Sequence, residues 1–258
     1  MAAILETHQL TKRFGAFEAN KDIDFSVRQG ELRAVIGPNG AGKTTFFNVI
    51  AGTIPASGGT IAFEGQDITR MRGSKRVHRG IAKAFQTANL YHDQPVIQNC
   101  RLAALAAIQG EFAAQLIARS TRLQEVDTIA HDALEQLELG NVADTRAGDL
   151  SHGDKKRLDI AIALATRPKI LLLDEPVAGM SIEESRKTDA LIRKLAQKIT
   201  VLIIEHDMDL IMGLSDSITV MHQGRILAQG TPTEIRANER VQEAYLGGHA
   251  EQSQGAAN

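Results

Sequence analysis

An α/β fold with a parallel core sheet is the class this sequence predicts, and three observations predict it. The second half alternates helical and strand-like stretches, and its strands, "KILLLD" and "ITVLIIE", are continuously apolar, as strands covered on both faces must be. "GPNGAGKT", Gly37 to Thr44, is a glycine-rich loop set between an apolar strand and a helical run. From about Pro95 to Leu139 the alternation stops, and Ala, Leu, Gln and Glu without strand signals read as an inserted helical piece.

Taken in order, "DIDFSV", "ELRAVIG" and "TIAFEG" are β-branched or alternating runs broken by glycine turns, and they predict early strands. Helical spacing fits "RLQEVDTIAHDALEQLEL" within the insertion. Ser151 and Asp154, spaced as Ser-x-x-Asp before an apolar-periodic run, predict a capping box opening a helix to Thr166. A strand at "KILLLD", a helix from Ile182 to Gln197, a strand at "ITVLIIE" and a further helix follow. "SITVMHQGRILAQG" then reads as two strands joined by a turn at "HQG". With no internal repeat, one unit is expected over residues 1–248, with a helical subdomain at about 87–150. The polar, small residues "HAEQSQGAAN", 249–258, predict a frayed tail.

Composition narrows the class. The chain has 258 residues, 43% apolar and 23% charged, which is globular and long enough for a sizeable core. "RLAALAAI" and "IAIALA", the longest apolar runs, fall far short of the roughly 18 residues that cross a bilayer. The N-terminus lacks a basic segment leading into an apolar one, and the single cysteine, Cys100, cannot form an internal disulfide. Both features point to the cytoplasm. A formal charge of -2 without a long basic stripe argues against nucleic acid as the main partner. "RMRGSKRVHRG", from Arg70 to Gly80, reads as a solvated basic face, and the scattered histidines suggest no metal cluster.

The chemistry lies in three places. Gly37, Gly40 and Gly42 let the backbone curl so that N–H groups face phosphate oxygens, Lys43 reaches the β and γ phosphates, and Thr44 offers a hydroxyl to Mg²⁺. Pro38, Asn39, Ala41 and Thr45 complete that loop and its first helical residues. "KILLLDEP" carries Asp174 to the C-terminal end of a buried strand, where it can hold the Mg²⁺ shell, and Glu175 follows as a base or orienter of water. In "LSHGD", Ser151 and Gly153 expose backbone donors at the positive end of a helix dipole. That end is competent to hold an anion.

"LSHGDKKRLDIAIAL", a short step upstream of "KILLLDEP", makes nearly the whole chain resemble the nucleotide-binding subunits of ABC transporters. The resemblance implies a P-loop NTPase cassette with a parallel core sheet, an N-terminal antiparallel β portion and an inserted helical subdomain. It further includes Gln86 after the strand-like "AKAFQ", His206 after "VLIIEH", Phe14 in "TKRFG" and "VAGMS", Val177 to Ser181. It implies that Phe14 stacks on adenine, Gln86 touches metal or water and couples to the membrane partner, and His206 contacts the γ-phosphate. "VAGMS" stands where the family has its inter-subunit loop. Ser151 and Gly153 would act in trans, on ATP held by the P-loop of a second cassette. Two residues depart from the family signature: His152 stands for a glycine and Asp154 for a glutamine. Asp154 is expected to turn back into its own helix cap.

"GPNGAGKTT", "PVIQN", "LSHG", "DEPVAGM" and "EAYLGG" look like the ATPases of branched-chain amino acid and urea importers, and "DEPVAGM" with "LSHG" leans slightly towards the urea type. The implied function is binding and hydrolysis of MgATP by a homodimer or a heterodimer with a paralogous cassette. This would drive a separate membrane permease, served indirectly by a solute-binding protein, from the inner face of the cell membrane. Lipopolysaccharide-type export is the alternative, followed by a non-transport ATPase acting on nucleic acid or the ribosome.

Overall fold

The computed structural model describes residues 3–84, 90–109, 119–206 and 208–244. In chain order these form β1 (Ala3–Phe14), β2 (Phe17–Arg28), β3 (Leu32–Ile36), α1 (Lys43–Ala51), β4 (Gly58–Phe63) and β5 (Gln66–Asp67). Next come α2 (Gly73–Arg79), β6 (Ile81–Ala84), α3 (Val96–Gln109), α4 (Arg119–Gln136), α5 (His152–Leu164), β7 (Ile170–Asp174) and α6 (Ile182–Ala196). The remainder is β8 (Thr200–Ile204), α7 (Met208–Leu214), β9 (Ser217–His222), β10 (Arg225–Gly230) and α8 (Pro232–Arg236). Two units are distinguished, one reaching Arg72 and resuming at Leu202, the other running from Gly73 to Val201.

In the first unit, β2-β1-β4-β5 form an antiparallel sheet. β3 runs parallel to β9, from Arg33 opposite Ser217 to Ile36 opposite Val220, and β10 closes back antiparallel on β9. Phe25 of β2 meets Phe46 of α1 edge to face, with ring centroids 5.2 Å apart, so the helix after the glycine loop is anchored on the antiparallel sheet. Leu5, Ile23, Ile36, Ile50 and Ile61 are fully buried in this unit.

The second unit pairs β6 with β7 in parallel, from Ile81 opposite Ile170 to Ala84 opposite Leu173. β7 is buried throughout, as its unbroken apolar run requires. α3 and α4 pack on one another, tied by Arg101 and Asp127 at 2.5 Å, and both meet α5. Asn99 accepts from the Tyr91 N–H at 2.8 Å and donates to the Pro95 carbonyl at 3.1 Å, fixing the chain as it enters α3. α6 opens on a full capping box, Ser181 with Glu184, and carries Glu183 and Glu184 in its first turn against Arg193 and Lys194 in its last.

The fold class agrees with the sequence reading, and the differences have local causes. β1 gave no clear strand signal because register shifts interrupt its pairing with β2 and β4, so its side chains do not keep a strict period of two. The basic run from Arg70 is not wholly a solvated face. It contains α2, and within it Arg76 is 1% exposed. The expected tail at 249–258 lies outside the described residues.

Cys100 sits fully buried in α3, and burial pushes its thiol up to about 12. Because the thiolate is the reactive form, the folded chain should give no fast phase with a thiol reagent at pH 8, and one thiol should react after denaturation in guanidinium. A stoichiometric fast reaction in the folded chain would place this thiol at the surface instead.

Candidate functional site

The glycine loop of the first unit is built around its own lysine. Lys43, 8% exposed, donates from Nζ to the Gly37 carbonyl at 2.7 Å and the Pro38 carbonyl at 3.0 Å. Gly37 and Gly42 have φ of +150° and +96°, and a Cβ on either would run into backbone, the Met221 carbonyl for Gly37 and the Ala19 carbonyl for Gly42. The loop is held from outside as well. Asn20 Nδ2 donates to the Gly42 carbonyl at 3.0 Å, and the Gly224 N–H donates to the Ala41 carbonyl at 3.1 Å. α1 then starts at Lys43 after a left-handed N-cap at Gly42 with no side-chain cap, so the loop lies at the positive pole of the helix. Thr44 and Thr45 are half-buried on that first turn, Pro38 is half-buried, Asn39 and Gly40 are exposed, and Ala41 is buried.

Phe14 lies at the tip of the β1–β2 hairpin, opposite Phe17, and is 51% exposed. The Lys12 ammonium sits 4.9 Å from its ring centroid, a cation–π contact that fixes the ring. His206 follows β8. Its backbone N–H donates to Glu205 Oε2 at 3.3 Å, and its imidazole is exposed.

In the second unit Asp174 ends β7 as a buried carboxylate, with Lys83 Nζ of the neighbouring β6 3.4 Å from its Oδ2. Glu175 comes next at φ +51°, a left-handed conformation uncommon for a residue with a Cβ. Its carbonyl accepts from the Ala178 N–H at 3.2 Å, starting the turn that leads to α6. At the head of α5, Ser151 Oγ accepts from the Asp154 N–H at 3.0 Å. The Asp154 carboxylate turns back as expected, although not into a reciprocal capping box. It accepts the Ser151 hydroxyl at 2.9 Å and pairs with Arg157, which also donates to the Leu137 carbonyl at 3.3 Å. Gly153 is buried against Glu184 of α6.

The structure therefore sets Phe14, the loop Gly37–Thr45 and His206 in one unit and Ser151, Gly153, Asp174 and Glu175 in the other. Gln86 lies outside the described residues. Lys12, Asn20, Lys83 and Arg157 were not singled out by the sequence reading. The alternation in "IAKA" offered a signal for Lys83, since a lysine there shares a strand with apolar neighbours. Among the described residues no group of three or more His, Cys, Asp or Glu side chains is arranged to hold a metal by itself, and no described helix is long and apolar enough to cross a membrane.

The family model described as ABC transporter matches residues 20–178, and one described as Branched-chain amino acid ATP-binding cassette transporter matches residues 225–251. The chain is 40% identical over 250 residues to the high-affinity branched-chain amino acid transport ATP-binding protein BraF of Pseudomonas aeruginosa, covering 95% of this chain and 98% of that one. It is 39% identical to the corresponding LivG protein of Escherichia coli, with the same coverage. A solved ATP-binding cassette of an ABC transporter in its ADP conformation superposes with a TM-score of 0.83 at 32% identity, covering 96% of this chain and all of that one.

The Asp154–Arg157 pair is only partly exposed, so a double-mutant cycle with Asp154→Asn and Arg157→Ala, read by urea denaturation, should return a coupling energy of about 1 kcal/mol. A coupling of zero would remove the pair from the account of how α5 begins.

Proposed function

The chain belongs to the ABC transporter family of ATP-binding cassettes and is an ATPase, and we propose that it powers uptake of branched-chain amino acids through separate membrane subunits. The observation that carries the ATPase chemistry is the loop wrapped around Lys43. Its buried ammonium already rests on two carbonyls, 2.7 and 3.0 Å away, and is preorganised to exchange them for the β and γ phosphate oxygens of ATP. The match at residues 225–251 and the names of the relatives support branched-chain amino acids over urea as cargo.

The family resemblance names Thr44, Asp174 and Gln86 as donors to Mg²⁺, and a hydroxyl and a carboxylate are the hard oxygen ligands that this ion takes. Bound Mg²⁺ would supply charge neutralisation at the phosphates. Glu175 accepts a proton from water as that water attacks the γ-phosphorus. The bond from the γ-phosphorus to the β–γ bridging oxygen breaks, and ADP and inorganic phosphate result. Lys43 and His206 stabilise the charge on the transferring group, and the half-exposed ring of Phe14 stacks on the base. Ser151 and Gly153 serve the nucleotide of a partner cassette, so the working form is a dimer docked on permease subunits at the membrane.

Lys43→Ala should abolish tight binding of a fluorescent ATP analogue and bring phosphate release to background; near-normal turnover would refute the role of the loop. Glu175→Gln should keep nucleotide affinity and lower phosphate release by about 100-fold or more, the scale of a lost general base. Unchanged turnover would exclude Glu175 from proton transfer. The cargo is tested by uptake of radiolabelled leucine, isoleucine and valine in cells lacking this chain. Uptake should be restored by the wild-type chain and not by the Lys43→Ala variant, and uptake indifferent to the chain would overturn the cargo reading.

A further inference from the structure

The first turn of α5 and the segment leading into α6 meet in a joint made of small residues on one side and functional groups on the other. His152 Nε2 lies 3.4 Å from the Ala178 carbonyl, to which it donates as the Nε2–H tautomer or as imidazolium. Gly179 follows at φ +79°, and a Cβ there would come 3.2 Å from the same nitrogen, a tight approach that the glycine avoids. One residue further along α5, a Cβ on Gly153 would fall 2.6 Å from Glu184 Oε1.

Glu184 is itself fixed. Its carboxylate accepts from the Ser181 N–H at 3.0 Å and the Ser181 hydroxyl at 2.8 Å. Those bonds, with smaller help from Arg157 and His152, hold it below the usual carboxylate range. Consecutive residues of the α5 turn thus touch two separate points of the 178–184 segment.

The far side of the joint is Glu175. Ala178, which receives His152 at its carbonyl, also donates its N–H to the Glu175 carbonyl at 3.2 Å. The path from the imidazole to the carboxylate-bearing residue is therefore two hydrogen bonds and the backbone of one residue. Glu175 holds a left-handed backbone that a shift of this turn would disturb.

We propose that His152 is a positioning residue for ATP hydrolysis: its hydrogen bond to the Ala178 carbonyl ties the α5 turn to the 175–181 turn, so that the signature residues Ser151 and Gly153 and the carboxylate of Glu175 move as one piece. The inference rests on the ATPase reading and adds to it a link within one chain between the group that orients water and the surface offered to the partner cassette. An exposed hydrogen bond adds little to global stability. Its effect is on geometry, where a displacement of an ångström at a reacting centre carries a large rate cost.

The test uses the full chain and three proteins: wild type, His152→Ala, and His152→Gln, whose amide nitrogen lies near the place of Nε2. Two measurements are made, steady-state phosphate release against ATP concentration, and hydrogen exchange of the 176–184 amides without nucleotide. His152→Ala should lower kcat at least about fivefold with KM within about twofold, and should speed exchange across 176–184. His152→Gln should recover both to within about twofold. Unchanged kcat or unchanged exchange in His152→Ala, or a glutamine variant no better than alanine, would overturn the proposal. A wild-type chain that releases no phosphate would overturn the ATPase reading instead. The exchange comparison then decides the joint alone, acceleration in alanine with recovery in glutamine supporting it and equal exchange ending it.

Discussion

The constraint on which the rest depends is that a backbone must curl close enough around a lysine to hold it with carbonyls. Lys43 is held in this way through Gly37 and Pro38. The curl brings Gly37 against Met221 and Gly42 against Ala19 with no room for a Cβ at either. That closeness explains the neighbours. β2 supplies Asn20 beneath the loop, the β9–β10 turn supplies Gly224 beside it, and the Lys21 N–H binds the Gly224 carbonyl at 2.7 Å, so both supports are themselves joined. A loop braced in this way costs little reorganisation, which is the condition under which fixed dipoles are effective.

The second unit solves a different problem, holding a buried negative charge at a strand end. Asp174 is delivered there by the four buried apolar residues of β7 before it, and a carboxylate in that setting needs compensation. Lys83 on β6 supplies it because the parallel register carries β6 alongside β7 up to the residue before Asp174. The same economy recurs at the head of α5, where Asp154 would set a second negative charge beside an anion-competent turn. Arg157 and the Ser151 hydroxyl absorb it.

What could be read from the sequence was what lay contiguous in it. The glycine loop, the apolar strand ending in Asp174, the Ser151 cap and the helical stretch before it are local patterns, each specified within one or two turns of chain. β1 escaped because its shifts in pairing break alternation, and α2 because a basic run hides the buried Arg76. Pairs such as Lys83 with Asp174, Asn20 with Gly42 and His152 with Ala178 escaped for another reason. They are set by register and by crossing elements distant in sequence, and each member alone has an ordinary surface or core explanation. His152 and Asp154 were visible as departures from a motif, and Ser151 as a local partner of Asp154, but Ala178 and Arg157 were not.

The left-handed backbone at Glu175 bears on how this protein can be improved. A side chain held there costs on the order of 1 kcal/mol that glycine would recover. Selection of random variants for heat resistance alone would then enrich glycine at position 175 and discard the carboxylate proposed to activate water. Thermostabilisation of this chain has to exclude that position from the library, or couple the screen to turnover, because the proposed role and the backbone conformation favour different residues there.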